Sequence, residues 1–85
     1  MPTLILNHSF KIDLKELESL EQKQAIKALR LLETNPKHPS LQVHRVNGTN
    51  YWEAYVNKDI RIIFEQNSDT LILMAIGHHD MLNKY

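Results

Sequence analysis

The stretch from Tyr51 to Asp80 leaves this chain few ways to fold. Trp52, Ala54 and Val56 alternate with Tyr51, Glu53 and Tyr55, a period of two that suits a pleated strand and not a helix. After Asn57-Lys58-Asp59 the chain returns through Ile60 to Phe64, turns again over Gln66 to Asp69, and runs through Leu71 to Ile76. Three strands joined by two tight turns are predicted. Pairing Val56 with Ile60 puts Ile62 and Phe64 on one apolar face with Trp52 and Ala54. The same register sets Arg61 opposite Tyr55, with Glu53 beside Ile63. A slip of one residue would drive Arg61 into the apolar layer, and the cost of burying its charge selects against it. Leu71 to Ile76, apolar at nearly every position, predicts a strand buried on both faces and central in the sheet.

Upstream, Thr3 to Leu6 is too short for a helix and is expected as a first strand beside the last one. Asp13 with Glu16, and Ser19 with Gln22, have the spacing of helix caps. They predict a short helix bending into a longer one over Leu20 to Glu33, with Ala25, Ile26, Leu29 and Leu32 on its buried face. Asn35-Pro36 ends it. Leu41 to Val46 has poor periodicity and predicts at most a short strand before the Asn47-Gly48-Thr49-Asn50 turn. The expected architecture is α+β: an N-terminal strand and a helical hairpin packed on one face of a mainly antiparallel three- to four-stranded sheet, the other face open. With 85 residues, a single domain over 1–85 is expected.

Composition narrows the function classes. No cysteine is present, which removes disulfides, thiolate metal sites and a cysteine nucleophile. Ten Lys and Arg balance ten Asp and Glu, so no general attraction to nucleic acid arises, although a local basic patch remains compatible. No signal segment or membrane-length apolar run is seen, and a soluble cytoplasmic protein without a membrane partner is expected.

Several phrases occur in a set order. They are Leu32 to Leu41 (Leu-Glu-Thr-Asn-Pro-Lys-His-Pro-Ser-Leu), Val43 to Val56 around Asn-Gly, Asp59-Ile-Arg-Ile-Ile-Phe64, and Gly77-His-His-Asp80. Together with the order of elements they resemble the RelE/ParE superfamily of toxins from type II toxin–antitoxin pairs, across nearly the whole chain. The resemblance implies a toxin with a concave sheet face, neutralised by a cognate antitoxin. Many members are mRNA interferases that cut mRNA on the ribosome, while the ParE branch acts on DNA gyrase. By position, Arg61 matches the phosphate-holding arginine, and His79 or its neighbour His78 matches the general acid or base. Glu53 and Tyr55 fall where members carry polar or basic groups. Tyr55, Ile76 and Gly77 stand where active ribonucleases often have further cations. Asp80 follows the histidines, and Tyr85 comes after the usual place of a terminal aromatic.

Cleavage of RNA by its own 2′-hydroxyl needs a base, an acid and a cation for the developing phosphorane charge, and no metal. Arg61, His79, His78 and Glu53 are the candidate catalytic residues. Tyr55, Arg45, Lys58, His44 and Tyr51 are the candidate substrate contacts. Neither a cofactor nor a metal is expected, since adjacent strand histidines point to opposite faces. For Arg61 an ion pair with Glu53 or stacking on Tyr55 is an equal structural reading, and Trp52 belongs to the core. The expected partners are an antitoxin and ribosome-bound mRNA, in a homodimer or a toxin–antitoxin hetero-oligomer. The alternative is a non-nuclease binding module: a ParE-like gyrase inhibitor or a weak homologue that chiefly binds its antitoxin.

Overall fold

The structure, a computed structural model, describes residues 2–82. The chain runs β1 (Thr3–Leu6), α1 (His8–Glu16), α2 (Ser19–Thr34), a 3₁₀ turn at Pro39–Leu41, β2 (His44–Arg45), β3 (Tyr51–Tyr55), β4 (Ile60–Asn67), β5 (Thr70–His78) and a final 3₁₀ turn at His79–Leu82. The strands form one sheet in the order β1-β5-β4-β3-β2. β1 lies parallel to β5, as the N-terminal strand was expected to sit beside the last, and the other pairings are antiparallel. The sheet has five strands where three or four were expected, because the weakly patterned His44–Arg45 segment does pair with β3.

Both helices start at residues other than those the cap spacing suggested. Asn7 caps α1, its Oδ1 accepting from the Phe10 N–H at 2.8 Å. Asp13 therefore lies inside that helix. α2 is capped at Glu18, whose N–H donates to Glu21 Oε1 at 3.1 Å. Gln22 is not a capping partner of Ser19. Its side chain donates to the Leu14 and Lys15 carbonyls at 3.1 and 3.2 Å, closing the end of α1. Asn35 terminates α2, as Asn35-Pro36 required. No helix among the described residues is long and apolar enough to cross a membrane.

The main core lies between the helices and the sheet. Phe10, Ala25, Ala28 and Leu32 meet Ala54, Ile60, Ile62, Phe64, Leu71, Leu73 and Ile76 there. Each fully buried Leu, Ile or Phe in this layer contributes about 1.5–3 kcal/mol. Ala28 takes the place assigned to Ile26, which is exposed on the outer side of α2. The strand buried on both faces is β4, in the middle of the sheet, rather than β5. In β5, Ile72 and Met74 are only half-buried, because the face away from the helices is thinly covered. That face is not wholly open: Ile63, Ala75 and Leu82 form a second, smaller cluster, joined by Val46, Tyr51 and Met74. A register irregularity between Ile63 and Phe64 brings Ala75 into line with Ile63.

Candidate functional site

The β3–β4 turn sets the site. Asn57 Oδ1 accepts from the Asp59 and Ile60 N–H groups, both at 2.8 Å, and the Val56 N–H donates to the Ile60 carbonyl at 2.9 Å. This side-chain-stabilised turn fixes the register in which Tyr55 faces Arg61 and Glu53 faces Ile63, as the alternation predicted. The Arg61 guanidinium carbon then lies 3.7 Å from the Tyr55 ring centroid. Its Nη1 donates to the Asn57 carbonyl at 3.2 Å and to the Lys58 carbonyl. Arg61 is 8% exposed. Its Nε–H has no hydrogen-bond partner among the described residues, the nearest carboxylate oxygen being Glu53 Oε1 at 4.0 Å.

On its other side Arg61 faces Gly77 of β5. The guanidinium lines a cleft of about 200 Å³ together with Lys58, Asp59, His78, His79 and Asp80. The His79 N–H donates to the Asp59 carbonyl at 2.7 Å and ties the final 3₁₀ turn to the β3–β4 turn. Arg61, Lys58 and His79 are thus gathered at one place from three segments.

The remaining candidates distribute differently. His78 lines the cleft but lies opposite Ile60, a core residue, and its Nε2 is 3.8 Å from Glu21 Oε2 on α2. Glu53 serves mainly His44, whose Nε2 is 2.9 Å from Glu53 Oε1 and whose Nδ1 donates to the Gln42 carbonyl at 2.8 Å. The His44 ring meets Tyr55 edge-on at 6.1 Å, so His44, Tyr55 and Arg61 form one contiguous row. Tyr51 packs against the smaller apolar cluster. Arg45 is not at this site. It pairs with Trp52, lies 5.4 Å over that ring on the opposite side of the sheet, and donates to the Thr49 carbonyl and Asn50 Oδ1 at 3.1 and 3.3 Å.

Sequence reasoning did not find the His44–Glu53 pair or the two carboxylates of the cleft, Asp59 and Asp80. The first was signalled by the four-residue Asn47–Asn50 turn, which by parity puts His44 opposite Glu53. Chemically, two cations and an imidazole at a shallow cleft can hold anionic oxygens and move a proton. No group of three or more His, Asp or Glu able to hold a metal ion occurs among the described residues.

Helices on one face of a β1-β5-β4-β3-β2 sheet, with an arginine of the middle strand on the other, define a class of small α+β proteins. Among the solved structures it resembles are toxins. One is a copper-bound mutant toxin from Helicobacter pylori, 27% identical, with 96% of this chain and 99% of that one covered and a TM-score of 0.69. Others are YafQ from E. coli (21% identical, 96% and 98% covered, TM-score 0.73) and the RelB–RelE antitoxin–toxin complex from Methanococcus jannaschii (20%, 95% and 96%, TM-score 0.77). No protein-family model matches the sequence, and no curated protein matches it. The chain shares the fold of these RelE- and YafQ-type structures, the likeness its motifs implied.

Proposed function

We propose that this protein is the toxin of a toxin–antitoxin pair and acts in the cytoplasm as a metal-independent endoribonuclease on ribosome-bound mRNA, neutralised by a cognate antitoxin. The observation that carries the reading is the convergence of Arg61, Lys58 and His79 on one cleft. The toxin–antitoxin assembly of the RelB–RelE neighbour supports the partner. In the proposed reaction the 2′-oxygen attacks the adjacent phosphorus and the bond to the 5′-oxygen breaks. The products are a 2′,3′-cyclic phosphate and a free 5′-hydroxyl. Arg61 and Lys58 hold the phosphate oxygens as charge builds on them. His79 carries the proton, taken from the 2′-hydroxyl or given to the leaving oxygen. Tyr55 offers its ring edge to a neighbouring base, and Glu53 with His44 keeps Tyr55 and Arg61 aligned.

A second reading is favoured by two specific observations. The Nη1 of Arg61 is committed to main-chain carbonyls, and Asp59 and Asp80 share its cleft. Both features weaken phosphate capture and suit a non-nuclease module, either a ParE-like gyrase inhibitor or a homologue that chiefly binds its antitoxin. Primer extension on an mRNA translated in an extract containing the purified protein separates the two. Cuts within codons that disappear with His79→Gln are expected. An uncut message, with DNA supercoiling by gyrase inhibited in a parallel assay, would sink the ribonuclease reading.

A further inference from the structure

β5 is longer than the strand that guards its outer edge. β1 ends at Leu6, opposite Leu73, whereas β5 continues to His78. Among the described residues no strand lies beside Ala75–His78 on that side. A groove of about 310 Å³ runs along this open edge. Its floor includes Ile76 and Leu82, both buried, and its outer wall is the corner between α1 and α2. Four carboxylates stand on that wall, Asp13, Glu16, Glu18 and Glu21, and no lysine or arginine lines the groove.

We infer that this groove receives an extended, lysine- or arginine-bearing segment of a partner polypeptide, which adds as a strand to the Ala75–His78 edge. An unpaired strand edge is a template for another chain, and such additions take affinity from main-chain hydrogen bonds and specificity from alternate side chains. Four residues of edge, at about 3.3 Å each, match about four residues of an incoming strand. Alternate side chains of that strand would meet the apolar floor, and those of the other parity the carboxylates. Charge decides the occupant. Two copies of this chain joined edge to edge would bring eight carboxylates together, whereas a basic segment neutralises them. The inference goes beyond the ribonuclease reading and does not depend on it, because the groove and the Arg61 cleft share only His78 in their linings, and neither Asp13 nor Glu16 lines the cleft.

The test is titration of the isotope-labelled protein with an eight-residue peptide alternating lysine and valine. The expected result is saturable binding, with amide shifts grouped at Ala75–His78 and along Asp13 to Glu21. The Asp13→Lys/Glu16→Lys double variant, folded as judged by its own spectrum, should bind roughly tenfold more weakly. A peptide N-methylated at alternate amides should lose binding, and a glutamate–valine peptide should not bind. Shifts centred on Arg61 and Tyr55, equal binding of the methylated peptide, or no saturation would each overturn the inference. Primer extension with the same double variant keeps the two readings apart: cleavage should be unchanged by it, and absence of cleavage in the parent leaves the peptide result standing.

Discussion

Arg61→Ala is expected to lower stability before it reports on any chemistry. The guanidinium sits 3.7 Å over Tyr55, a cation–π contact worth about 1 kcal/mol where it is shielded from water. It also donates to the Asn57 and Lys58 carbonyls, charge-assisted bonds of about 1.5 kcal/mol each when fully buried. Those carbonyls sit in a turn that water can reach once the side chain is gone, so the sum comes down to about 2–3 kcal/mol. For a domain of this size that lowers Tm by roughly 10–20 °C. Thermal and urea unfolding followed by circular dichroism measure it directly. A double-mutant cycle with Tyr55→Leu should return a coupling of about 1 kcal/mol for the stack. If Arg61→Ala melts within about 2 °C of the parent, the guanidinium does not hold the turn and the reasoning is wrong. The same arithmetic constrains activity tests, since Arg61→Ala must be assayed well below its own lowered Tm.

Three further outcomes are expected. Asn7→Ala should cost about 1 kcal/mol in urea unfolding while Asp13→Ala stays within about 0.5 kcal/mol, because Asn7 makes the cap. In primer extension, His79→Gln should reduce cleavage by about 100-fold or more, and His78→Gln, whose ring is turned toward Glu21, by no more than about twofold; equal losses would contradict the assignment. Binding of a short single-stranded RNA should weaken severalfold, by about 1 kcal/mol, in Lys58→Ala and not in Arg45→Ala, since only Lys58 lines the cleft.

The β3–β4 hairpin was legible in the sequence because two constraints agree there. The alternation of Tyr51 to Val56 fixes the faces, and the Asn57-Lys58-Asp59 turn fixes the register. The helix starts were not legible, because Asn7 and Glu18 compete with Asp13 and Ser19, which have equally good capping chemistry. Only the packing of Phe10 and the reach of Gln22 back to α1 decide between them. Local apolarity likewise assigned the central place to Leu71 to Ile76. The position of Arg61 on a strand buried on both faces hid that β4 holds it. At the site, the structure brings Arg61 and His79 to one cleft, whereas Arg45 lies over Trp52 on the other face, a placement the sequence did not carry because β2 is two residues long and has no period of its own. Pairs such as His44 with Glu53 depend on hairpin parity, which composition does not carry.

The parallel contact of β1 with β5 bears on the order in which the molecule can mature. Thr3 meets Thr70, so a strand made at the start of synthesis waits 67 residues for the strand it pairs with among the described residues. Contacts this distant in sequence close late, after the loop entropy between them has been overcome. The hairpin of β3 and β4 can form earlier, but it carries Arg61 without His79. A nascent chain still short of its last 3₁₀ turn therefore holds the two cations of the proposed apparatus without its proton carrier, however much of its sheet has already formed.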